Sequence, residues 1–342
     1  MTTSLRVELP ARSTGRILAL DELKGVAILL VILYHAGGAL VWSDTLHLEV
    51  GVDMFVILSG IGLALSTTEE TAGRFLLRRM WRIYPCYWII LTGFLVANAR
   101  FLGEHDGTKD VVLHYLGVHA LFGDAHMMTI NDSFWFVTLI VLLYALYAMM
   151  RRLVDRPDWV LFLGAAASVG LSLAYFYSGE ANVFRHLTTR MPGFFLGVVI
   201  GRLLATGRIE IPLTWALGAA CAIVLYVPYA NGIILASFLV GLSLMALYAL
   251  ALRPALAAGV RRTLRFLGDR SLEIFLIHQP LMRNYNTYVQ RRIWPTRTFT
   301  PWSLAAGMAA GLAAAILISS ALHSLLRRLP GPGRGRPAGA AR

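Results

Sequence analysis

The feature that most limits what this chain can become is the recurrence of long apolar runs. They cover approximately residues 24–42, 50–66, 83–102, 133–150, 158–177, 190–205, 213–229, 232–252, 267–288 and 301–323. Crossing a bilayer takes about 20 mostly apolar residues, and most of these runs are near that length. Their apolar character is continuous rather than alternating, which argues against a transmembrane β-barrel. Only 15% of the residues are charged and 57% are hydrophobic, where a soluble domain would carry about a quarter charged residues. The sequence therefore predicts an all-α polytopic membrane protein with about ten transmembrane helices. The shorter run VVLHYLGVHALFG (111–123) cannot span and reads as an interfacial or re-entrant helix.

A net charge of +12 raises nucleic acid as a partner, but the cations sit in short clusters between apolar runs. That is the positive-inside pattern, with a lipid bilayer as the partner. If the N-terminus is cytoplasmic, 23 of the 31 Lys and Arg residues fall in inner segments and eight in outer ones. This predicts both termini inside. The exception is the basic loop carrying Arg283, Arg291, Arg292 and Arg297, which falls on the outer side and either binds an anion or marks a miscounted span. Cys86 and Cys221 lie in or beside apolar runs, so neither a disulfide framework nor a metal site is expected. The first 23 residues mix both charge signs and lead into a full-length span, unlike a cleavable signal peptide.

Three regions follow: a cytoplasmic N-terminal segment (1–19), one transmembrane domain (20–326) and a basic tail (327–342). The tail is rich in Gly, Pro and Arg, so it cannot bury apolar surface and is expected to be disordered. Arg greatly outnumbers Lys, which occurs twice, and Ala and Gly are abundant. That composition suggests a GC-rich bacterial genome and a multi-pass protein of the cell membrane.

Ionisable groups inside a bilayer are costly and mark function by default. Within the runs these are His35, Asp53 and His278, with Glu273 nearer the cytoplasmic edge. In KGVAILLVILYH (24–35), Lys24 and His35 are three helical turns apart, on one face, about 16 Å along the axis at roughly 1.5 Å per residue. Neutral imidazole is a natural general base near neutral pH. Lys24 fits equally as a snorkelling anchor. Asp53, in GVDMFVILSG (51–60), opens the neighbouring helix at a similar depth. A carboxylate there can orient His35, or simply cap the second helix. Gly51, Gly60 and Gly62 suit close helix packing.

In RFLLRRMWRIYPCYW (74–88), Arg74, Arg78 and Arg82 form one helical stripe flanked by Arg79. Such a segment belongs in the cytoplasmic interface. Its guanidinium forks suit phosphate, and they equally serve topology and anionic lipid. Asp132 and Ser133 read as caps of the fourth span and Trp135 as interfacial belt, with an acceptor-site role for Asp132 and Trp135 also open. Glu273 and His278 are five residues apart and do not share a face well. His278 either lines a cavity or packs.

Taken together, LDELKGVAILLVILYH (20–35), GVDMFVILSG (51–60), RRMWRIYP (78–85), SFWFV (133–137) and SLEIFLIHQP (271–280) resemble the acyltransferase type 3 family of membrane O-acyltransferases. The resemblance covers nearly the whole chain. It implies acyl-CoA, commonly acetyl-CoA, as a cytoplasmic co-substrate rather than a permanently bound cofactor. It implies a sugar hydroxyl or another glycosylated acceptor as the partner, as in sugar O-acetylases. His35 corresponds to the family's essential histidine, and Lys24 takes a position usually held by Arg. Arg79 and Arg82 take the Arg-x-x-Arg positions linked to the acyl donor, with Arg78 beside them, and Asp53 falls in the second-span motif.

The expected chemistry is acyl transfer with His35 as general base oriented by Asp53, directly or through an acyl-histidine. The alternative is a transporter or exporter of a small glycosylated or acylated molecule. That fold is commonly built from inverted repeats and broken helices at the midplane, which the sequence does not display. A non-catalytic scaffold leaves His35 and Asp53 without a purpose. Acceptor choice is expected to reside in 103–131, 178–189 and 289–300, which carry no readable motif.

Overall fold

The computed structural model of the protein describes residues 4–5, 17–40, 50–66, 70–103, 105–127, 129–154, 158–177, 183–205, 211–212, 237–288 and 301–329. These are almost entirely helical. In chain order the helices are α1 (Leu18–Leu40), α2 (Val50–Ala64), α3 (Ala72–Ala97), α4 (Thr108–Leu116), α5 (Asp124–Met127), α6 (Trp135–Val154) and α7 (Asp158–Tyr177). There follow α8 (Val183–Ala205), α9 (Ser237–Leu247), α10 (Arg253–Ala255), α11 (Ala258–Asp269), α12 (Ser271–Tyr288) and α13 (Pro301–Leu326). Wider π-type turns, Asn98–Leu102 and Tyr248–Leu252, continue α3 and α9. Ser4–Leu5 pairs antiparallel with Ile211–Pro212.

Several boundaries differ from the sequence reading. The helix of the third run, expected from about residue 83, begins at Ala72, so the arginine stripe forms the opening turns of α3. The Thr71 hydroxyl accepts a hydrogen bond from the Arg74 amide at 3.3 Å and starts that helix. No helix-breaking residue intervenes before Pro85. Residues 253–270, read as a cytoplasmic connection, form α10 and the amphipathic α11, whose Leu264 and Leu267 are buried. The ninth run is divided at Arg270, where α11 ends and α12 begins. The run 213–229, the loop 289–300, Cys221 and the tail 330–342 lie outside the described residues.

Among the described residues, Ala72–Phe101 and Ala305–Leu326 are long and apolar enough to cross a membrane, by length and composition. Val50–Ala64, Trp135–Met150 and Leu163–Ala174 are apolar but shorter. Large apolar side chains cover the exterior: Met149 is 80% exposed, Leu317 71% and Trp159 62%. Soluble monomers rarely carry so much exposed apolar surface.

The centre of the fold is α1 and α2, whose Ala27, Ile28, Met54, Val56 and Ile57 are fully buried. Two glycine seams hold other helices against them. A Cβ on Gly60 would lie 2.3 Å from the Phe194 carbonyl oxygen of α8, and one on Gly197 2.2 Å from that of Ile57. On the other side, a Cβ on Gly268 would meet the Asp21 carbonyl oxygen at 1.9 Å and one on Gly25 that of Leu264 at 2.1 Å. No side chain fits at these four positions, and the backbones approach as they do in small-residue membrane interfaces. Gly51 packs similarly against α1, but Gly62 faces open space and lines a cavity. Its packing role is thereby corrected.

The run 111–123 does not cross the fold. α4 returns along α3, held there by three hydrogen bonds. Tyr84 Oη donates to the Leu116 carbonyl at 2.7 Å and Trp88 Nε1 to that of Tyr115 at 2.8 Å, while Thr92 Oγ1 meets Tyr115 Oη at 2.7 Å. Beyond it, the fully buried rings of His114 and His119 stack with centroids 3.8 Å apart. Burial, and next the neighbouring His114, push His119 down to about 3. The unfolded chain takes up a proton near the ordinary value of about 6.5 while folded His119 stays neutral. Stability is therefore full above that value and falls as the pH drops toward about 3. Unfolding of the detergent-solubilised protein is expected to show a thermal midpoint falling from pH 7 to 5. His119→Phe, which keeps the stack, is expected to flatten that slope.

Candidate active site

His35 lies on α1 beside α12, and its closest chemical neighbour is another imidazole. His35 Nδ1 and His278 Nε2 are 3.0 Å apart, with ring centroids at 5.0 Å. His278 is fully buried, and its Nδ1 faces the carbonyls of Phe275 and Ile274 at 2.8 and 3.1 Å. This corrects the expected pairing of His35 with Asp53. The buried Asp53 carboxylate is ion-paired with Arg190 of α8, itself nearly buried. Asp53 of α2 faces α8 and α9, where Gly241 packs on its Cβ.

Asp132 belongs to a polar loop ahead of α6. Asn131 Nδ2 donates to the Leu276 carbonyl at 3.0 Å, and its Oδ1 accepts from the Ser133 amide at 2.8 Å. Ser133 Oγ donates to Gln279 Oε1 at 2.5 Å, and Gln279 Nε2 donates to Asp132 Oδ2 at 3.4 Å. Asp132 and Ser133 thus tie the loop to α12 next to His278. The loop starts at Ile130 with φ 61°, a conformation that a β-branched residue adopts only under constraint. Trp135 is half-buried beneath Leu121, Ala120 and Met127, which places it under the α4–α5 segment rather than in an outward-facing belt.

Lys24, Arg78, Arg79 and Arg82 line one cavity of about 800 Å³. Arg327, just past α13, joins them, with Asp21, Asp269 and Glu273 on the cavity's walls. Lys24 Nζ reaches Asp21 at 3.4 Å, and Arg78 pairs with Glu70. The Arg79 guanidinium lies 5.5 Å from the Phe75 ring centre and 5.7 Å from that of Tyr144, within cation–π range. Arg74, the other member of the stripe, is exposed and does not line the cavity. Glu273 Oε1 accepts from His323 Nδ1 at 2.8 Å, so Glu273 faces this cavity while His278 faces His35. Phe55, Phe136 and Phe275, also in the wall, stand with centroids 4.7–6.3 Å apart. Neither His35 nor His278 is in the lining, but the Phe275 ring lies 5.8 Å from that of His278.

Four groups escaped the sequence reading. Arg190 holds Asp53, and Gln279 links Asp132 to Ser133. His323 sits on Glu273. The fourth is a buried node on α1: Glu22, 1% exposed, accepts from Arg253 at 2.8 Å and Tyr248 at 3.1 Å and pairs with Arg265 at 3.4 Å. Gln279, beside His278 in HQP, and Glu22, in LDELKGVAILLVILYH, stood in quoted motifs but were not singled out. Among the described residues no group of His, Cys, Asp and Glu is arranged to hold a metal, and Cys86 is a buried free thiol.

A family model described as an acyltransferase domain matches residues 17–320. The chain is 26% identical over 184 residues to a candidate acetyltransferase of Acidianus two-tailed virus, covering 51% of this chain and 53% of the relative. It is 24% identical over 204 residues to a candidate membrane-bound transacylase of Komagataeibacter xylinus, covering 54% and 50%. The chain thus spans about half the length of the curated relatives it matches. No solved structure matches it. The family match takes in every helix from α1 to most of α13, and with it the histidine pair and the cavity's Lys24, Arg78, Arg79 and Arg82; the chain is a member of the acyltransferase type 3 family.

Proposed function

We propose that this protein is a polytopic membrane O-acyltransferase. It moves an acyl group, acetyl in the simplest case, from cytoplasmic acyl-CoA to a hydroxyl of a sugar or glycosylated acceptor. The arrangement that carries this reading is one cavity walled by Lys24, Arg78, Arg79 and Arg82 whose aromatic side chains abut the histidine pair. A CoA tail is polyanionic, and guanidinium forks bind phosphate in two-pronged fashion. The reading places both termini in the cytoplasm and about ten helices in the cell membrane of a bacterium. It is supported by the excess of Lys and Arg on one side of the predicted spans.

In the reaction, the acceptor oxygen attacks the thioester carbonyl while His35 removes the hydroxyl proton. The carbon–sulfur bond breaks, an ester forms, and the proton ends on the CoA sulfur. The acceptor approaches from the side of Asp132, Ser133 and Gln279, whose polar atoms suit a hydroxyl-rich ligand. Asp53 and Arg190 act as the buried tie that fixes α2 against α8.

CoA is expected to raise the thermal midpoint of the purified protein in detergent. Arg79→Ala and Arg82→Ala are each expected to weaken CoA binding about tenfold, the loss of roughly 1.4 kcal/mol from one charge-assisted contact. Unchanged affinity in both variants would assign the arginines to lipid anchoring, and an absent CoA response would overturn the donor assignment.

A further inference from the structure

We infer that His278 is the positioning residue of this reaction, holding His35 in the one tautomer that leaves its Nε2 bare as the base. The inference rests on the reading of His35 as the general base. It follows from a chain of donors and acceptors that begins at the backbone. His278 Nδ1 lies 2.8 Å from the Phe275 carbonyl and 3.1 Å from that of Ile274. A carbonyl can only accept, so the His278 proton sits on Nδ1. A neutral imidazole has a single N–H, so His278 Nε2 carries a lone pair. That lone pair faces His35 Nδ1 at 3.0 Å. Two bare nitrogens cannot face each other at this distance, so His35 Nδ1 bears its proton and donates. The lone pair of His35 is therefore on Nε2.

A further observation agrees. His278 is completely buried among Phe275 and neighbouring apolar side chains, which disfavours a second proton on it. When His35 takes the acceptor's proton, its Nδ1–H bond to His278 becomes charge-assisted and stronger. His278 thereby supplies the orientation expected of Asp53, without bringing a charge of its own. The second ring nitrogen of a catalytic histidine commonly sets its tautomer.

The test uses the full chain in membrane vesicles of the expressing strain, with radiolabelled acetyl-CoA and the acceptors those membranes contain. His278→Leu removes the acceptor. It is expected to lower the maximal rate by on the order of 10–100-fold, the usual cost of losing an orienting partner, with the KM for acetyl-CoA unchanged. His278→Gln places an amide oxygen near Nε2 and is expected to retain most of the rate. Solid-state NMR of ¹⁵N-histidine protein, with His35 assigned by loss of its signals in His35→Ala, is expected to show His35 protonated at Nδ1. His278→Leu should mix or reverse that pattern and His278→Gln should keep it. A wild-type rate in His278→Leu would overturn the inference, as would a His35 ring protonated at Nε2 in the unmodified protein. Equal losses in Leu and Gln variants with an unaltered His35 tautomer would also overturn it, leaving His278 a packing residue. If His35→Ala itself transfers normally, the base reading fails; if it is inactive while His278→Leu is normal, only the present inference fails.

Discussion

Replacing His35 with alanine is expected to lower acyl transfer by about 10²–10⁴-fold, the usual contribution of a positioned general base. The protein should remain folded. His35 is only half-buried, and losing its bond to His278 frees a ring already anchored to the Phe275 and Ile274 carbonyls. Donor binding should survive as well, because neither histidine lines the cation-walled cavity. The informative result is thus a split: transfer lost, thermal stabilisation by CoA retained. Near-normal transfer by the folded variant would end the base assignment. Loss of both properties would move His35 into the donor site.

Arg190→Ala is expected to be the most damaging single change to the fold. Asp53 is 1% exposed, and Arg190 is the hydrogen-bond partner of one of its oxygens; the other has none. Removing the guanidinium leaves a carboxylate buried without compensation, at about 3–5 kcal/mol for a broken buried pair. Asp53→Ala takes this carboxylate from Arg190 and is expected to cost somewhat less. The double variant Asp53→Leu, Arg190→Met strands neither, so much of the loss should return. Thermal unfolding of the four proteins in one detergent makes this a double-mutant cycle. Additive losses, with the double variant the worst of the set, would show that the pair contributes no coupling.

The two placements that sequence made legible share a property: each lies within one helix. Lys24 and His35 stand on one continuous helix, and Arg78, Arg79 and Arg82 stand on another, so helical spacing alone places them. What sequence left unread depends on which helices are neighbours. His35 and His278 are 243 residues apart, Asp53 and Arg190 137, and Glu22 and Arg253 231. A short hairpin suggested that α2 would supply the partner of His35. Instead α12 does, because α1 is flanked on one side by α2 and on the other by the α11–α12 pair. The glycines gave half of this away. Gly60 marked the α2–α8 seam, whereas Gly25 and Gly268, which seat α11 on α1, drew no attention because α11 read as a cytoplasmic connection.

The three phenylalanines in the wall of the donor cavity have a consequence for the cell rather than for the reaction. On the reading proposed above, substrates reach this enzyme from opposite faces of a membrane that holds an ion gradient. Two water-filled vestibules meeting at His35 would be a leak. Phe55, Phe136 and Phe275 are buried, in mutual ring contact and part of the wall of the cation-lined cavity. The same rings that the donor's acyl end must pass act, between turnovers, as electrical insulation.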